Sequence, residues 1–147
     1  MWDDKRSCRQ ILLVDDDHDD LMIFSLALSE LDIPTEILYA EGYQTLMKFM
    51  ENPKTIPQII FLDINMPGYD GMDCLKLIKS SRDFDSIPIV MYSTSSNPKT
   101  ITESRLNGAS LYLVKPTSFE RIKSLLNKIL TINWAGFLRN ADRFVFE

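Results

Sequence analysis

The chain has 147 residues, 45% of them hydrophobic and 25% charged, with a net charge of -5, which fits one domain large enough to bury a core. The acidic balance speaks against nucleic acid as a direct partner, because that affinity rests on Lys and Arg neutralising phosphates. No basic block or apolar run is long enough for a signal peptide or a membrane span, and two cysteines at no metal or redox spacing, Cys8 and Cys74, fit free thiols in a reducing cytoplasm, the expected location.

Residues 1–9 are polar and mixed in charge and read as a disordered lead-in. Ile11-Leu12-Leu13-Val14 is a short apolar run of the kind buried on both faces of a parallel sheet, and it ends on Asp15 and Asp16. Leu21, Phe24, Leu28 and Leu31 then recur at helical spacing. Asp17, Asp19 and Asp20 precede them and suit the positive end of that helix's dipole. The lone histidine, His18, reads as a solvated residue at the same helix start. After Pro34 comes a β-prone stretch, 35–40, and then a short helix carrying Tyr43, Leu46, Met47 and Met50. Ile59-Ile60-Phe61-Leu62 is the central strand. It ends on Asp63, followed by a turn through Asn65, Pro67 and Gly68. Cys74, Leu75 and Ile78 predict a helix over about 70–80, with Cys74 as a small core residue.

Pro88-Ile89-Val90-Met91-Tyr92 is a fourth buried run and ends on Ser93. Asn97-Pro98 marks a helix start, capped by Asn or Ser, and Asn107-Gly108 stops that polar helix. Leu111-Tyr112-Leu113-Val114 is the last strand, ending on Lys115-Pro116. Ser118 caps a helix with Phe119, Ile122, Leu126 and Ile129 on one face. Five strands alternating with five helices predict an α/β, doubly wound, flavodoxin-like parallel sheet. One domain over residues 10–131 accounts for it, with 132–147 as a C-terminal extension.

Four strands thus end on chemically active residues, and all would lie at one edge of the sheet, where ligands bind in such folds. Carboxylates as close as Asp15, Asp16 and Asp63 repel one another unless a cation sits among them, and Mg²⁺ suits a site of few oxygens, several waters and a phosphate. A carboxylate can attack phosphorus. Lys115 can neutralise a phosphoryl oxygen and the Ser93 hydroxyl can donate to another.

The stretches Leu12-Leu13-Val14-Asp15-Asp16, Leu62-Asp63-Ile64-Asn65-Met66-Pro67, Pro88-Ile89-Val90-Met91-Tyr92-Ser93 and Gly108 through Pro116 together resemble the receiver domain of two-component response regulators. The resemblance implies strand order 2-1-3-4-5 and Asp63 as phosphoacceptor. It implies Mg²⁺, or Mn²⁺ in its place, on Asp16, Asp63 and the Asn65 backbone carbonyl, with Asp15 orienting a metal-bound water. It also implies Ser93 and Lys115 as phosphoryl ligands, Ser93 and Tyr112 as the switch pair, and a cis peptide between Lys115 and Pro116. Thr94 is β-branched and is expected to narrow the mouth of the phosphoryl pocket.

An Asp-nucleophile phosphatase of the haloacid-dehalogenase type would need Asp-x-Asp-x-Thr or Val after its first strand; Asp15-Asp16-Asp17-His18-Asp19 lacks the last residue. A flavin module would need a Ser/Thr/Gly-rich phosphate loop where this chain has five aspartates within 15–20. The expected function is therefore a single-domain response regulator, not an enzyme turning over a substrate. Its expected partners are a histidine kinase or phosphotransfer protein and a downstream protein. The resemblance extends to stand-alone receivers that serve bacterial phytochromes. Trp134, Phe137, Leu138 and the Phe144-Val145-Phe146 run are too apolar for a disordered tail. They either fold back on the chain or join a homodimer through the face formed by the fourth helix, fifth strand and fifth helix.

Overall fold

A computed structural model describes residues 8–66, 70–134 and 144–146. In chain order the elements are β1 (Arg9–Val14), α1 (His18–Ser29), β2 (Thr35–Ala40), α2 (Tyr43–Glu51), β3 (Ile59–Asp63), α3 (Gly71–Lys79), β4 (Ile89–Ser93), α4 (Pro98–Leu106), β5 (Leu111–Val114), α5 (Phe119–Leu130) and β6 (Val145–Phe146). The sheet is wholly parallel in the order β2-β1-β3-β4-β5-β6. Five strands follow the expected order and β6 is an addition. No helix among the described residues is long and apolar enough to cross a membrane.

The continuous apolar runs of β1, β3 and β4 are buried on both sides because side chains alternate between two helical layers. Leu12, Val14, Ile60, Leu62, Ile89 and Met91 face α2 and α3, where Leu46, Cys74, Leu75 and Ile78 meet them. Ile11, Leu13, Ile59, Phe61, Val90 and Tyr92 face α1 and α5, against Phe24, Leu28, Ile122, Leu126 and Ile129. Cys74 is a core residue as expected, and Cys8 is an exposed free thiol.

The helix starts are fixed locally. Asp17 caps α1 by accepting from the Asp19 N–H at 2.8 Å. Asp70 and Asp73 cap α3 reciprocally, each accepting from the other's N–H at 3.2 and 3.0 Å. Asn97 accepts from the Lys99 N–H with Pro98 behind it, and Ser118 accepts from the Arg121 N–H. Gly108, at φ 101, supplies the left-handed residue that ends α4.

Two expectations change, the extent of the lead-in and the cis peptide at Lys115–Pro116, while the tail takes the first of its two expected courses. Residues 1–7 of the lead-in lie outside the described residues, as do Phe137 and Leu138, but Arg9 is buried and already belongs to β1. The end of the extension turns back onto its own chain. The Tyr112 N–H donates to the Phe144 carbonyl at 2.8 Å, Tyr112 and Leu113 pair with Val145 and Phe146, and Phe144 and Trp134 are buried. An unpaired edge strand is a template for further pairing, and β6 satisfies that edge from within. The second change concerns Lys115–Pro116. Every peptide bond among the described residues is trans, this one included, against the expected cis form. Trans is the intrinsically favoured isomer by about 0.5–1 kcal/mol, and the Lys115 N–H reaches the Ser93 carbonyl at 2.7 Å with the chain in that form.

Candidate functional site

The register of the central strands determines what meets at their carboxyl ends. Val14 pairs with Leu62, Asp63 with Tyr92 and Ser93 with Val114. Asp15, just beyond β1, therefore stands beside Asp63, and the side chain of Lys115, just beyond β5, reaches across β4 toward it. The Asp15 N–H is tied to the Ala40 carbonyl at 3.1 Å, and the Tyr39 hydroxyl donates to the Asp15 carbonyl at 2.7 Å. The backbone of Asp15 is thus held from β2, and its carboxylate is fully buried.

The Lys115 ammonium lies among three carboxylates. Its Nζ is 2.7 Å from Asp20 Oδ2, 3.6 Å from Asp63 Oδ1 and 3.8 Å from Asp15 Oδ2, and 4.8 Å above the Tyr92 ring. One oxygen from each of Asp15, Asp20 and Asp63 falls within 4.8 Å of the others. Asp63 Oδ1 accepts a long bond from the Asn65 N–H at 3.4 Å, and Asp15 Oδ1 accepts from the Asp17 N–H at 2.9 Å. Asp15 Oδ2 is buried with no hydrogen-bond partner. Such an atom costs about 1–3 kcal/mol unless something else satisfies it.

The electrostatics follow the geometry. Burial, reinforced by the Asp63 charge, pushes the Asp15 carboxyl up to about 7 against the bond from Asp17. Burial also raises Asp63, with Lys115 pulling the other way. For Lys115, burial works against the ammonium, but the bond to Asp20 and the charges of Asp63 and Asp15 outweigh it and hold its pKa above the ordinary lysine value. A pocket that raises two carboxyl groups while holding one cation has room for more positive charge.

The expected residues have specific places. Asp63 and Asp15 are in the buried cluster. Asp16 is exposed and lines the open polar cleft above it, with Asn65, Thr94 and Lys115. Thr94 is at the mouth, as its position after β4 led one to expect. Ser93 is fully buried, and its Oγ accepts from the Ser95 N–H at 3.1 Å. Tyr112 is also fully buried and donates its hydroxyl to the Ser95 carbonyl at 2.7 Å. Ser93 and Tyr112 are therefore joined through one residue, Ser95. His18 has a side chain 67% exposed, 3.7 Å from Glu41, consistent with a solvated helix start.

Asp20 is the residue that sequence reasoning passed over. Its place in the first turn of α1 has an ordinary dipole explanation, yet it makes the shortest contact to Lys115. A signal was available: helical side chains lean back toward the N-terminus, and the N-terminus of α1 follows directly from the active end of β1.

The response regulator receiver domain profile matches residues 11–127. Among curated proteins, the probable methanogenesis regulatory protein FilR2 of Methanothrix harundinacea is 28% identical over 134 residues, 88% of this chain and 86% of that protein. The chain spans only 21% of a matched plant response regulator and 17% of a matched autoinducer sensor kinase/phosphatase. Among solved structures, the phosphorylated cyanobacterial phytochrome response regulator RcpA superposes with a TM-score of 0.76 at 26% identity, covering 84% of this chain and 91% of that one. The Mn²⁺-bound form of response regulator Rcp1 gives 0.75 at 26% identity, over 84% and 93% of the two chains. The fold, the acidic cluster at the strand ends and these matches agree, and the chain belongs to the response regulator receiver domain family, whose members act in phosphorylation-dependent two-component signalling.

Proposed function

We propose that Asp63 is the phosphoacceptor of this receiver and that it takes its phosphoryl group from a histidine of a kinase or phosphotransfer protein. The carrying observation is the position of Asp63. It is a nearly buried carboxylate at the end of the central strand, opening on a polar cleft and facing a lysine ammonium 3.6 Å away. In the transfer, an Asp63 carboxylate oxygen attacks phosphorus, the bond from phosphorus to the donor imidazole nitrogen breaks, and that nitrogen keeps the electron pair. Such a reaction requires positioning and charge neutralisation more than covalent chemistry from the protein. Lys115 meets the charge on the phosphoryl oxygens, and the chain turns over no separate substrate.

The residues present suit a divalent cation: a buried Asp15 oxygen without a hydrogen bond, a carboxylate cluster and hard oxygen donors throughout. Asp15, Asp16, Asp63 and the Asn65 carbonyl are the set that would hold Mg²⁺ or Mn²⁺, and a Mn²⁺-bound neighbour supports this. The ion supplies charge neutralisation for the transferring group.

The signal leaves through Ser93, Ser95 and Tyr112. A phosphoryl group drawing on the Ser93 hydroxyl disturbs the peptide of Ser95, to which the Tyr112 hydroxyl is bonded. Tyr112 pairs with Val145 of β6, and β5 contacts α4, so the face formed by α4, β5 and α5, with the tail, is the output surface to a protein partner or a second copy. Sedimentation of the full chain beside one lacking residues 132–147 tests the second-copy reading. A full-length monomer at tens of micromolar or so, with and without phosphomimetic, removes it.

Transfer of radiolabelled phosphoryl from a phosphohistidine donor tests the primary function. Label should appear on the chain with Mg²⁺ and not with chelator. A chain that no histidine kinase of its source organism can label would overturn the assignment.

A further inference from the structure

Among the described residues Lys115 has one partner at hydrogen-bond distance, Asp20. The ammonium is 2.7 Å from Asp20 but 3.6 Å from Asp63 and 3.8 Å from Asp15, beyond hydrogen-bond range of both. The contact joins the first turn of α1 to the loop after β5 across 95 residues of sequence. Neither end is loosely solvated, since the lysine side chain is 12% exposed and that of Asp20 30%. A direct ammonium bond to Asp63 would occupy the lone pairs with which it attacks phosphorus. The contact to Asp20 is the shortest of the three.

We infer that Asp20 is a positioning residue for Lys115: it holds the ammonium off the acceptor at rest, and a phosphoryl group on Asp63 must compete with Asp20 for it. The inference rests on the reading of Asp63 as acceptor, and it assigns to Asp20 a share in how readily the site takes and keeps the group. A carboxylate acting only as a helix dipole partner would interact equally with α1 whatever stood at position 115. A carboxylate acting through Lys115 loses its effect when the lysine is gone.

The test is a double-mutant cycle on binding of beryllofluoride, a phosphoryl mimic, at saturating Mg²⁺, using wild type, Asp20→Asn, Lys115→Met and the double variant. Asp20→Asn should tighten binding when Lys115 is present, and that shift should exceed the one seen with Met at 115 by about threefold or more. Equal shifts in the two backgrounds, or no tightening by Asp20→Asn alone, overturn the inference. A second measurement needs no metal and no phosphoryl chemistry. The Lys115 ammonium ¹⁵N signal should be protected from exchange in the metal-free wild type and lost or shifted in Asp20→Asn. Absence of protection in the wild type, or an unchanged signal in the variant, also overturns it. Because this signal is read without phosphorylation, failure of the Asp20 inference is distinguishable from failure of the Asp63 assignment.

Discussion

Gly71 is the position where a single methyl group should disturb both stability and chemistry. It is the first residue of α3, and its N–H donates to the Ile64 carbonyl at 2.8 Å. A Cβ built there would lie 2.2 Å from the Asp63 carbonyl oxygen and 2.6 Å from the Ile64 Cα, where real Cβ contacts essentially never fall below 3.0 Å. The glycine is required for space, since its backbone is not in the left-handed region. In Gly71→Ala the end of β3 and the start of α3 must separate by about 0.8 Å, the difference between those distances. Overpacking of this kind costs about 1–3 kcal/mol, and the upper end applies because both partners are backbone. The usual advantage of Ala over Gly, about 0.4–1 kcal/mol from the unfolded chain, works in the opposite direction and is smaller. A net loss of about 2 kcal/mol lowers Tm by about 4–8 °C in a domain of this size. The residue displaced is Asp63, and a misplacement near 1 Å can cost on the order of 100-fold in rate. Thermal melts and the rate of phosphorylation by acetyl phosphate check the two parts. A variant with wild-type Tm and wild-type rate would refute the steric reasoning. A lower Tm with an unchanged rate would show that the strain is absorbed away from Asp63.

Three further outcomes follow from the structure. The Asp15 carboxyl, raised in the folded state to about 7 from 3.8, makes the folded protein bind more protons than the unfolded one in that window. Its stabilising contribution is present at the acid end and is lost as pH rises toward 7, at about 1.4 kcal/mol per pKa unit. Melts in chelator should show Asp15→Asn without this acid-side advantage, and an identical pH profile for variant and wild type contradicts it. Ser93→Ala should leave Asp63 reactive but weaken the response of Tyr112. A full switch from 1:99 to 99:1 takes about 5.5 kcal/mol and one hydrogen bond to a charged group supplies about 1.5–3 kcal/mol, so a complete NMR response in the variant would break the coupling through Ser95. Truncation before Phe144 leaves the Tyr112 N–H unpaired and should cost at least about 1 kcal/mol by urea denaturation; an unchanged midpoint would mean that β6 contributes nothing to the fold.

The architecture was legible because the signals were local. Apolar runs of four or five residues ended abruptly on Asp, Ser or Lys, and Asn97 and Ser118 marked the starts of α4 and α5, so α4 and β2 were placed with their boundaries. What was not legible depends on pairing across the chain. β6 is two residues long, too short to carry a periodicity, and only the position of β5 beside it makes it a strand. Asp20 had a sufficient local explanation, and its partner lies on the far side of the sequence. The burial of Ser93, with its hydroxyl already engaged by Ser95, depends on the path of the loop after β4, which side-chain types alone do not determine.

The most direct test of the central claim is intact-mass analysis of the chain after exposure to acetyl phosphate and Mg²⁺. The account predicts one added phosphoryl group on the wild type and none on Asp63→Asn. An Asp63→Asn protein that gains the same mass as the wild type would place the acceptor elsewhere and contradict the account.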